Sequence, residues 1–424
     1  MRILHISTRL ILGGSQENTV LSCEGQAHLG HDVHIAFGPI YGPEGSMLDR
    51  VRAFATENGR TIATHEVPDL VREVSPLRDR RCLAQLDALI RDIQPDIVHT
   101  HSSKAGVLGR LAAWRVWNSN PARAPAVIHT IHGPPFMPVE GSLIGRTKVR
   151  TKNLIYTLAE RRAARACHRI VSVADAMTVQ FLARGIGTPD LYTTVRSGMD
   201  TSPYLAPEPT REAVRAELGI DESDFVIGTV ARLAQHKGHD DLLDALGGDM
   251  RADPRLKLLW VGDGWWRERL MERVRTLGVE DQVIGTGLVP PERVPVLLRA
   301  MDVLAHPSYR EGLPRTVPQA LLSGVLPIAT DTDGTGEVCR DMQTGRLVPV
   351  GDAAALRAAV RWAREQPNEA RALAERGREE CRVAFSMETM VADLQRVYAE
   401  ALRRAGARVA GRSVDDDHGA RTTS

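Results

Sequence analysis

Lysine is scarce in this 424-residue chain: only Lys104, Lys148, Lys152, Lys237 and Lys257 occur among its 54 basic residues. The remaining positive charge is arginine, which reads as coding bias and not as a function in itself. Neither sign is in excess. Fifty-three acidic residues bring the formal net charge to +1, so no global field recruits nucleic acid, and none is expected as a partner. The five cysteines (Cys23, Cys82, Cys167, Cys339 and Cys381) are scattered and odd in number, with no CxxC or zinc-ligand spacing. That excludes a disulfide framework and suits thiols used as small core residues in a reducing compartment. No apolar run approaches the roughly 20 residues that span a bilayer, and the N-terminus enters a strand at once, without a secretory pattern. A cytoplasmic protein is expected. What is present, 43% apolar and 25% charged residues over this length, describes a globular chain of two or three domains.

Short apolar stretches alternate with amphipathic helical ones, the pattern of α/β domains with parallel sheets. Strands are expected at 3–7, 33–37, 62–67, 97–100, 127–131 and 170–173. A helix over 17–29 stops at Gly30, a capping glycine. A turn-rich passage containing Pro203, Pro207 and Pro209 follows. The alternation then restarts, with strands at 226–230, 256–261, 283–286, 303–305 and 325–329. Two domains result, 1–195 and 196–385. A last helix, 386–405, follows helices and not a strand, and is expected to pack back on the first domain. Residues 406–424 are small, polar and charged and read as a disordered tail.

Open parallel sheets bind ligands at the carboxyl ends of their strands, so the loops there carry the chemistry. The first strand leads to Gly13 and Gly14 before a helix. Glycine there lets backbone N–H groups approach an anion, although a plain βα turn uses the same residues. In the second domain the first strand leads to Arg232 and Lys237, ahead of a helix beginning near Gly238. An arginine that bonds two oxygens at once and a lysine acting as a point charge suit a diphosphate; a solvated surface pair is the other reading. The richest loop separates a strand ending at Ala305 from a helix that starts near Thr316 and closes at Gly324. Glu311 can accept hydrogen bonds there from sugar hydroxyls, and Gly312 and Leu313 can offer N–H groups to phosphate or sugar oxygens. Gln319 lies in the first helical turn, facing the same opening. By spacing alone this is a polar loop before a buried helix.

Together these segments resemble the retaining glycosyltransferases of family 4. Their donor-binding signature is a proline–serine pair, an acid–glycine pair a few residues on, and a second acid eight residues after the first. Here it reads Pro307-Ser308, Glu311-Gly312 and then Gln319. The likeness covers almost the whole chain, through Gly13-Gly14, DIVHTH at 96–101, HTIHG at 129–133, SGMD at 197–200, Arg232 and Lys237, and GDGW at 262–265. It implies the GT-B fold, α/β, with two Rossmann-like domains whose parallel sheets face a central cleft. It also implies metal-independent transfer of a hexose from a nucleotide-sugar to a glycan or lipid-linked acceptor, with the donor site mainly in the second domain. Carried over residue by residue, Glu311 would hold hydroxyls of the donor sugar and the amides of Gly312 and Leu313 would seat sugar and phosphate. Arg232 and Lys237 would neutralise the departing diphosphate, and Gly13 and Gly14 would close on the phosphates. His132 would reach the donor sugar near the reacting carbon, and the base would lie against the backbone at 287–289, with Val289 in contact. Gln319 departs from the family. Where an acid normally accepts from both ribose hydroxyls, a glutamine keeps one acceptor oxygen, loses the charge and adds donors. Two other functions share the architecture and stay open: a nucleotide-sugar-binding protein without transferase activity, and a sugar-nucleotide epimerase, for which no acid–base residues can be assigned.

His99 and His101 alternate on one strand, with His129 and His132 at the end of another, so four imidazoles are expected at one cleft rim. No carboxylate or cysteine is spaced to complete a metal site, and neither metal nor cofactor is expected. The stretch 146–169 carries Lys148, Arg150, Lys152, Arg161, Arg162 and Arg165 among Leu154, Ile155, Tyr156 and Leu158, with Glu160 as its sole acid. A basic amphipathic helix of this kind suits peripheral contact with an anionic membrane surface; a solvated helix face is the alternative. Acceptor selection is expected in the loop 134–145.

Overall fold

The computed structural model describes residues 1–41, 45–136, 143–206 and 208–409, with backbone alone at 143–145 and 409. Pro207, the stretch 137–142 of the expected acceptor loop and the expected tail from 410 onward lie outside the described residues. The chain divides into two compact units, Met1–Met199 together with the segment from Met387, and Asp200–Ser386.

In the first unit seven strands form one parallel sheet. They are β1 (Arg2–Ser7), β2 (Asp32–Phe37), β3 (Ile62–Glu66), β4 (Ile97–His101), β5 (Ala126–Ile131), β6 (Arg169–Ser172) and β7 (Tyr192–Thr194). Their order is β3-β2-β1-β4-β5-β6-β7. Beyond exposed Arg2, every residue of β1, β4 and β5 is buried, as expected of a parallel sheet covered on both faces. The helices Gly14–His28 and Met387–Val409 cover one face, where Tyr398 of the second meets Gln26 of the first. Gly30, at φ 84°, ends the first of these helices where a Cβ would be strained.

The second unit holds six parallel strands, β8 (Phe225–Val230), β9 (Leu256–Val261), β10 (Val283–Gly287), β11 (Val303–His306), β12 (Leu326–Thr330) and β13 (Arg346–Val348), in the order β10-β9-β8-β11-β12-β13. The helix His239–Ala252 lays Leu242, Leu243, Leu246 and Met250 on this sheet against Leu258 and Trp260, an apolar stripe at helical spacing. In both units the strand order reverses beside the first strand, between β1 and β4 and between β8 and β11. Loops leaving the two strands at such a point turn to opposite faces and open a crevice between them.

Three details differ from the sequence reading. Strands β7 and β13 were not expected: each is three residues long, too short for an alternation to show. The unit boundaries fall at Met199 and Ser386 in place of 195 and 385. The C-terminal helix also continues to Val409, through a segment read as tail. Tertiary contacts override the low helix propensity of Gly406: the Arg404 guanidinium bonds Asp190 at 3.1 Å, and Arg408 lies 4.3 Å above the Trp114 ring.

Candidate active site

The loops after β8 and β11 meet at the order reversal of the second sheet. Tyr309 N–H donates to the His236 carbonyl at 2.8 Å. Gly238 comes so close to the other loop that a Cβ there would sit 1.9 Å from the Pro307 carbonyl oxygen, and its φ is +69°. Only glycine fits both conditions. This approach brings Lys237 to Glu311, Nζ to Oε1 at 2.5 Å, with side chains 19% and 12% exposed. His306, the last residue of β11, reaches the same Oε1 through Nε2 at 3.0 Å and is steadied by Thr316 Oγ1 3.2 Å from Nδ1. Among the described residues no hydrogen bond reaches Oε2 of Glu311. Burial opposes charge on this carboxyl, yet Lys237 and His306 outweigh it and hold the group well below its ordinary range. It is a carboxylate at neutral pH, with one oxygen held by the protein.

The backbone around it is equally ordered. Asp333, a non-glycine residue at φ 47°, accepts the Glu311 N–H at 2.7 Å, and Gly334 N–H donates to the Gly312 carbonyl at 3.0 Å. The amides of Gly312 and Leu313 have no acceptor among the described residues, so they can serve a ligand. Gln319 is buried in the first turn of the helix Thr316–Leu322. Arg232 belongs to the same loop as Lys237, but the structure separates the two. Its exposed guanidinium lies 5.7 Å above the Trp265 ring, while Lys237 is enclosed with Glu311. Val289 follows β10 by two residues and is half-buried. Sequence reasoning missed His306, Thr316 and Asp333. Only the place of His306 at a strand's carboxyl end, five residues before Glu311, could have signalled it.

In the first unit Gly13 and Gly14 are exposed where the helix Gly14–His28 begins, an end that no side chain among the described residues caps. Its first N–H groups therefore remain available to an anion. The four histidines expected at one rim divide instead. His99 and His101 lie on the sheet face under the two helices, wholly buried, and His132 just beyond β5 is half-buried, with Nε2 3.1 Å from His101 Nδ1. His129 is level with Thr100 and faces the other way, its Nδ1 3.1 Å from the Thr100 carbonyl. The period of two in a strand forces this split. His5 on β1, unexpected from sequence, joins His99 and His101, and the three place one nitrogen each within 4.8 Å of one another.

The basic stretch forms the helix Leu143–Ala164. Two of its charges are not on the surface. Glu160 is buried and pairs with Arg110 at 2.6 Å, and Arg169 is buried on β6 beside Glu400. The exposed face accordingly ends at Arg165 and contains no acid: Lys148, Arg150, Lys152, Arg161 and Arg162 surround Leu154, Ile155 and Leu158, which are more than half exposed. None of the described helices is long and apolar enough to cross a membrane.

Residues 12–202 match the family model Glycosyltransferase Family 4, and residues 210–380 match Glycosyl transferases group 1. Over 356 residues the chain is 26% identical to the UDP-Gal:alpha-D-GlcNAc-diphosphoundecaprenol alpha-1,3-galactosyltransferase of Escherichia coli, an alignment spanning 83% of this chain and 85% of that one. It is 30% identical over 281 residues to the 2-deoxystreptamine N-acetyl-D-glucosaminyltransferase of Streptomyces fradiae, covering 63% and 62% of the two chains. The fold is similar to that of HepE from Anabaena in complex with UDP-glucose, with a TM-score of 0.75 at 20% identity over 94% of this chain and 99% of that one.

Proposed function

The chain belongs to the group 1 and family 4 glycosyltransferases, with the GT-B fold of two Rossmann-like parallel sheets, and on that premise we propose a retaining, metal-independent transfer of a hexose from a nucleotide-sugar to a glycan or lipid-linked acceptor. The observation that carries this reading is the Lys237–Glu311–His306 cluster at the order reversal of the second sheet. A sugar hydroxyl can donate to Oε2 of Glu311 while His306 fixes the carboxylate through Oε1. The diphosphate gains charge as its bond to the anomeric carbon breaks. Lys237 neutralises it in this reading, joined by Arg232 once its guanidinium leaves the Trp265 ring, and the Gly312 and Leu313 amides seat its oxygens. Removing one such stabilising donor costs on the order of 10²- to 10³-fold in kcat. Two cations at the leaving group take the place a metal would fill. Gly13, Gly14 and His132 are the first unit's polar contribution to ligand binding, and in the second unit Gln319 holds the ribose less firmly than an acid would.

The acceptor belongs to the first unit in this reading, and its source is an anionic membrane surface. Support comes from the acid-free face of the helix Leu143–Ala164, where three exposed aliphatic side chains sit among basic ones. Each lysine or arginine near an anionic surface contributes about 1 kcal/mol. The Escherichia coli relative's name includes a diphosphoundecaprenol acceptor, which suits such a surface.

Transfer and hydrolysis measured with UDP-, GDP- and ADP-sugars test the site. Activity with one donor should drop by orders of magnitude in Glu311→Ala and Lys237→Ala, persist in EDTA, and give product with the donor's anomeric configuration. Wild-type turnover in both variants overturns the site. Tight nucleotide-sugar binding by the native protein without turnover of any donor would favour a binding protein. Sedimentation with phosphatidylglycerol vesicles, released by Arg161→Glu with Arg162→Glu, tests the membrane face. A native protein that stays in the supernatant overturns it.

A further inference from the structure

Trp265 and Trp266 are neighbours in sequence with opposite surroundings. Trp266 is half-buried, packed against the core of the second unit with the Arg269 guanidinium 4.3 Å above its ring. Trp265 is 67% exposed, the one exposed tryptophan among the described residues. An indole left in water forgoes the burial of a large apolar surface, so something other than packing of its own ring has to place it there.

The backbone does. The loops after β8, β9 and β10 are bonded to one another at the carboxyl ends of adjacent strands. Leu233 N–H donates to the Asp263 carbonyl at 3.0 Å, Trp266 N–H to the Leu233 carbonyl at 3.1 Å, and Gly262 N–H to the Gly287 carbonyl at 3.0 Å. Side chains have no room between them: a Cβ on Gly262 would lie 2.2 Å from the Ala231 carbonyl oxygen, and one on Gly264 2.3 Å from that of Leu233. Asp263 is engaged within its own loop, accepting from the Gly264 N–H at 2.7 Å and pairing with Arg267 at 3.0 Å. The Trp265 ring is thus carried outward on a fixed backbone. Arg232, from the loop that also holds Lys237, stands 5.7 Å from its centroid. Leu288, 72% exposed, follows the Gly287 that Gly262 bonds. A flat apolar surface beside a cation suited to phosphate matches adjoining parts of one ligand: a nucleotide has a heterocycle with two π faces and a charged diphosphate.

We propose that Trp265 is the stacking platform for the nucleobase of the donor. The base lies on the indole, and Arg232, which holds that ring near the outer limit of about 6 Å for a cation–π contact, passes to the diphosphate of the same ligand. This deepens the proposed transferase reading and rests on it. Every base has a π face, so such a surface contributes affinity without choosing among bases. It selects for a nucleotide as such: a sugar phosphate without a base leaves the indole in water and has only the phosphate contacts.

Isothermal titration of UDP, GDP, ADP and inorganic pyrophosphate into the full-length native protein, Trp265→Ala and Trp265→Phe separates the two ends of the ligand. Whichever nucleoside diphosphates bind the native protein should bind about 10- to 100-fold more weakly to Trp265→Ala. Pyrophosphate should bind as tightly as before or more so, because Arg232 no longer has a ring to leave. Trp265→Phe should recover most of the loss. In transfer assays Trp265→Ala should raise the KM for the nucleotide-sugar and leave kcat nearly unchanged, since the base is bound alike before and during bond breaking. Two results overturn the platform: unchanged nucleoside diphosphate affinity in Trp265→Ala, or equal weakening of nucleoside diphosphate and pyrophosphate, which would make Trp265 a support for Arg232 alone. A native protein that binds no nucleoside diphosphate overturns the transferase reading and this one with it. One that binds and transfers, with Trp265→Ala its equal, overturns the platform alone.

Discussion

Replacing Glu311 by glutamine keeps the side chain's shape and removes its charge, and the structure predicts opposite effects on transfer and on nucleotide binding. Lys237 is committed to Oε1 of Glu311 at 2.5 Å, with both groups largely shielded from solvent. An incoming diphosphate must draw the ammonium away from that carboxylate. A hydrogen bond to a charged group is worth about 1.5–3 kcal/mol, which corresponds to roughly 10- to 100-fold in affinity. The glutamine carbonyl can recover part of it, so UDP, or whichever nucleoside diphosphate binds, should bind about tenfold more tightly to Glu311→Gln. Transfer should fall, because the carboxylate that accepts the sugar hydroxyl is gone. Stability should respond to acid in a related way. Although burial favours the neutral form, Lys237 and His306 hold the Glu311 carboxyl below its ordinary value of 4.5. Its contribution is therefore complete above that value and is lost as pH falls beneath it. In Glu311→Gln that part of the acid limb should flatten. Calorimetric titration of nucleoside diphosphate, alongside kcat, is the assay. Unchanged or weaker diphosphate binding in the variant would show that Lys237 is not held back by Glu311.

Three further substitutions test separate parts of the structure. Glu160→Ala strands the fully buried Arg110 guanidinium and should destabilise the first unit by about 3–5 kcal/mol in urea unfolding; a loss under 1 kcal/mol would refute the pair's role. Gly238→Ala forces a Cβ against the Pro307 carbonyl at φ +69°, and should displace Lys237 and lower kcat about tenfold, on the order of 1.4 kcal/mol, while circular dichroism stays native. Gln319→Glu restores a charged acceptor for ribose and should tighten nucleotide binding by on the order of 1 kcal/mol. Equal affinity in isothermal titration would mean that Gln319 does not face the ribose.

Much of the α/β architecture could be read from local pattern. Strands β8, β9 and β11 announce themselves as short, mainly apolar runs, and Gly30 and Gly324 mark helix ends at φ 84° and 74°. Lys237 and Glu311 could be nominated for the same reason, since each lies in a loop directly after a strand. Whether two such loops meet is another matter. Lys237 and Glu311 are 74 residues apart and touch because β8 and β11 are neighbours in the sheet, an order that no local pattern encodes. Arg232, equally well placed by sequence, turns out to stack over Trp265. The basic stretch shows the same limit: its composition was legible, but which of its charges point inward was not, and Glu160 and Arg169 do.

By itself the sequence determined the alternation of strand and helix, the positions of the glycines at tight turns, and the kinship on which the functional reading stands. These depend on residue type and on spacings of two to about four, the reach of strand and helix periodicity. Only the tertiary structure decided that His306 and Asp333 steady Glu311, that four expected histidines divide between opposite faces, and that His132 joins a chain of hydrogen bonds that runs through the core. Gln26 and Tyr398, in contact at 2.8 Å, are 372 residues apart. A hydrogen bond over that separation exists only once two helices cover the same sheet face, because it is the packing that brings donor and acceptor within reach.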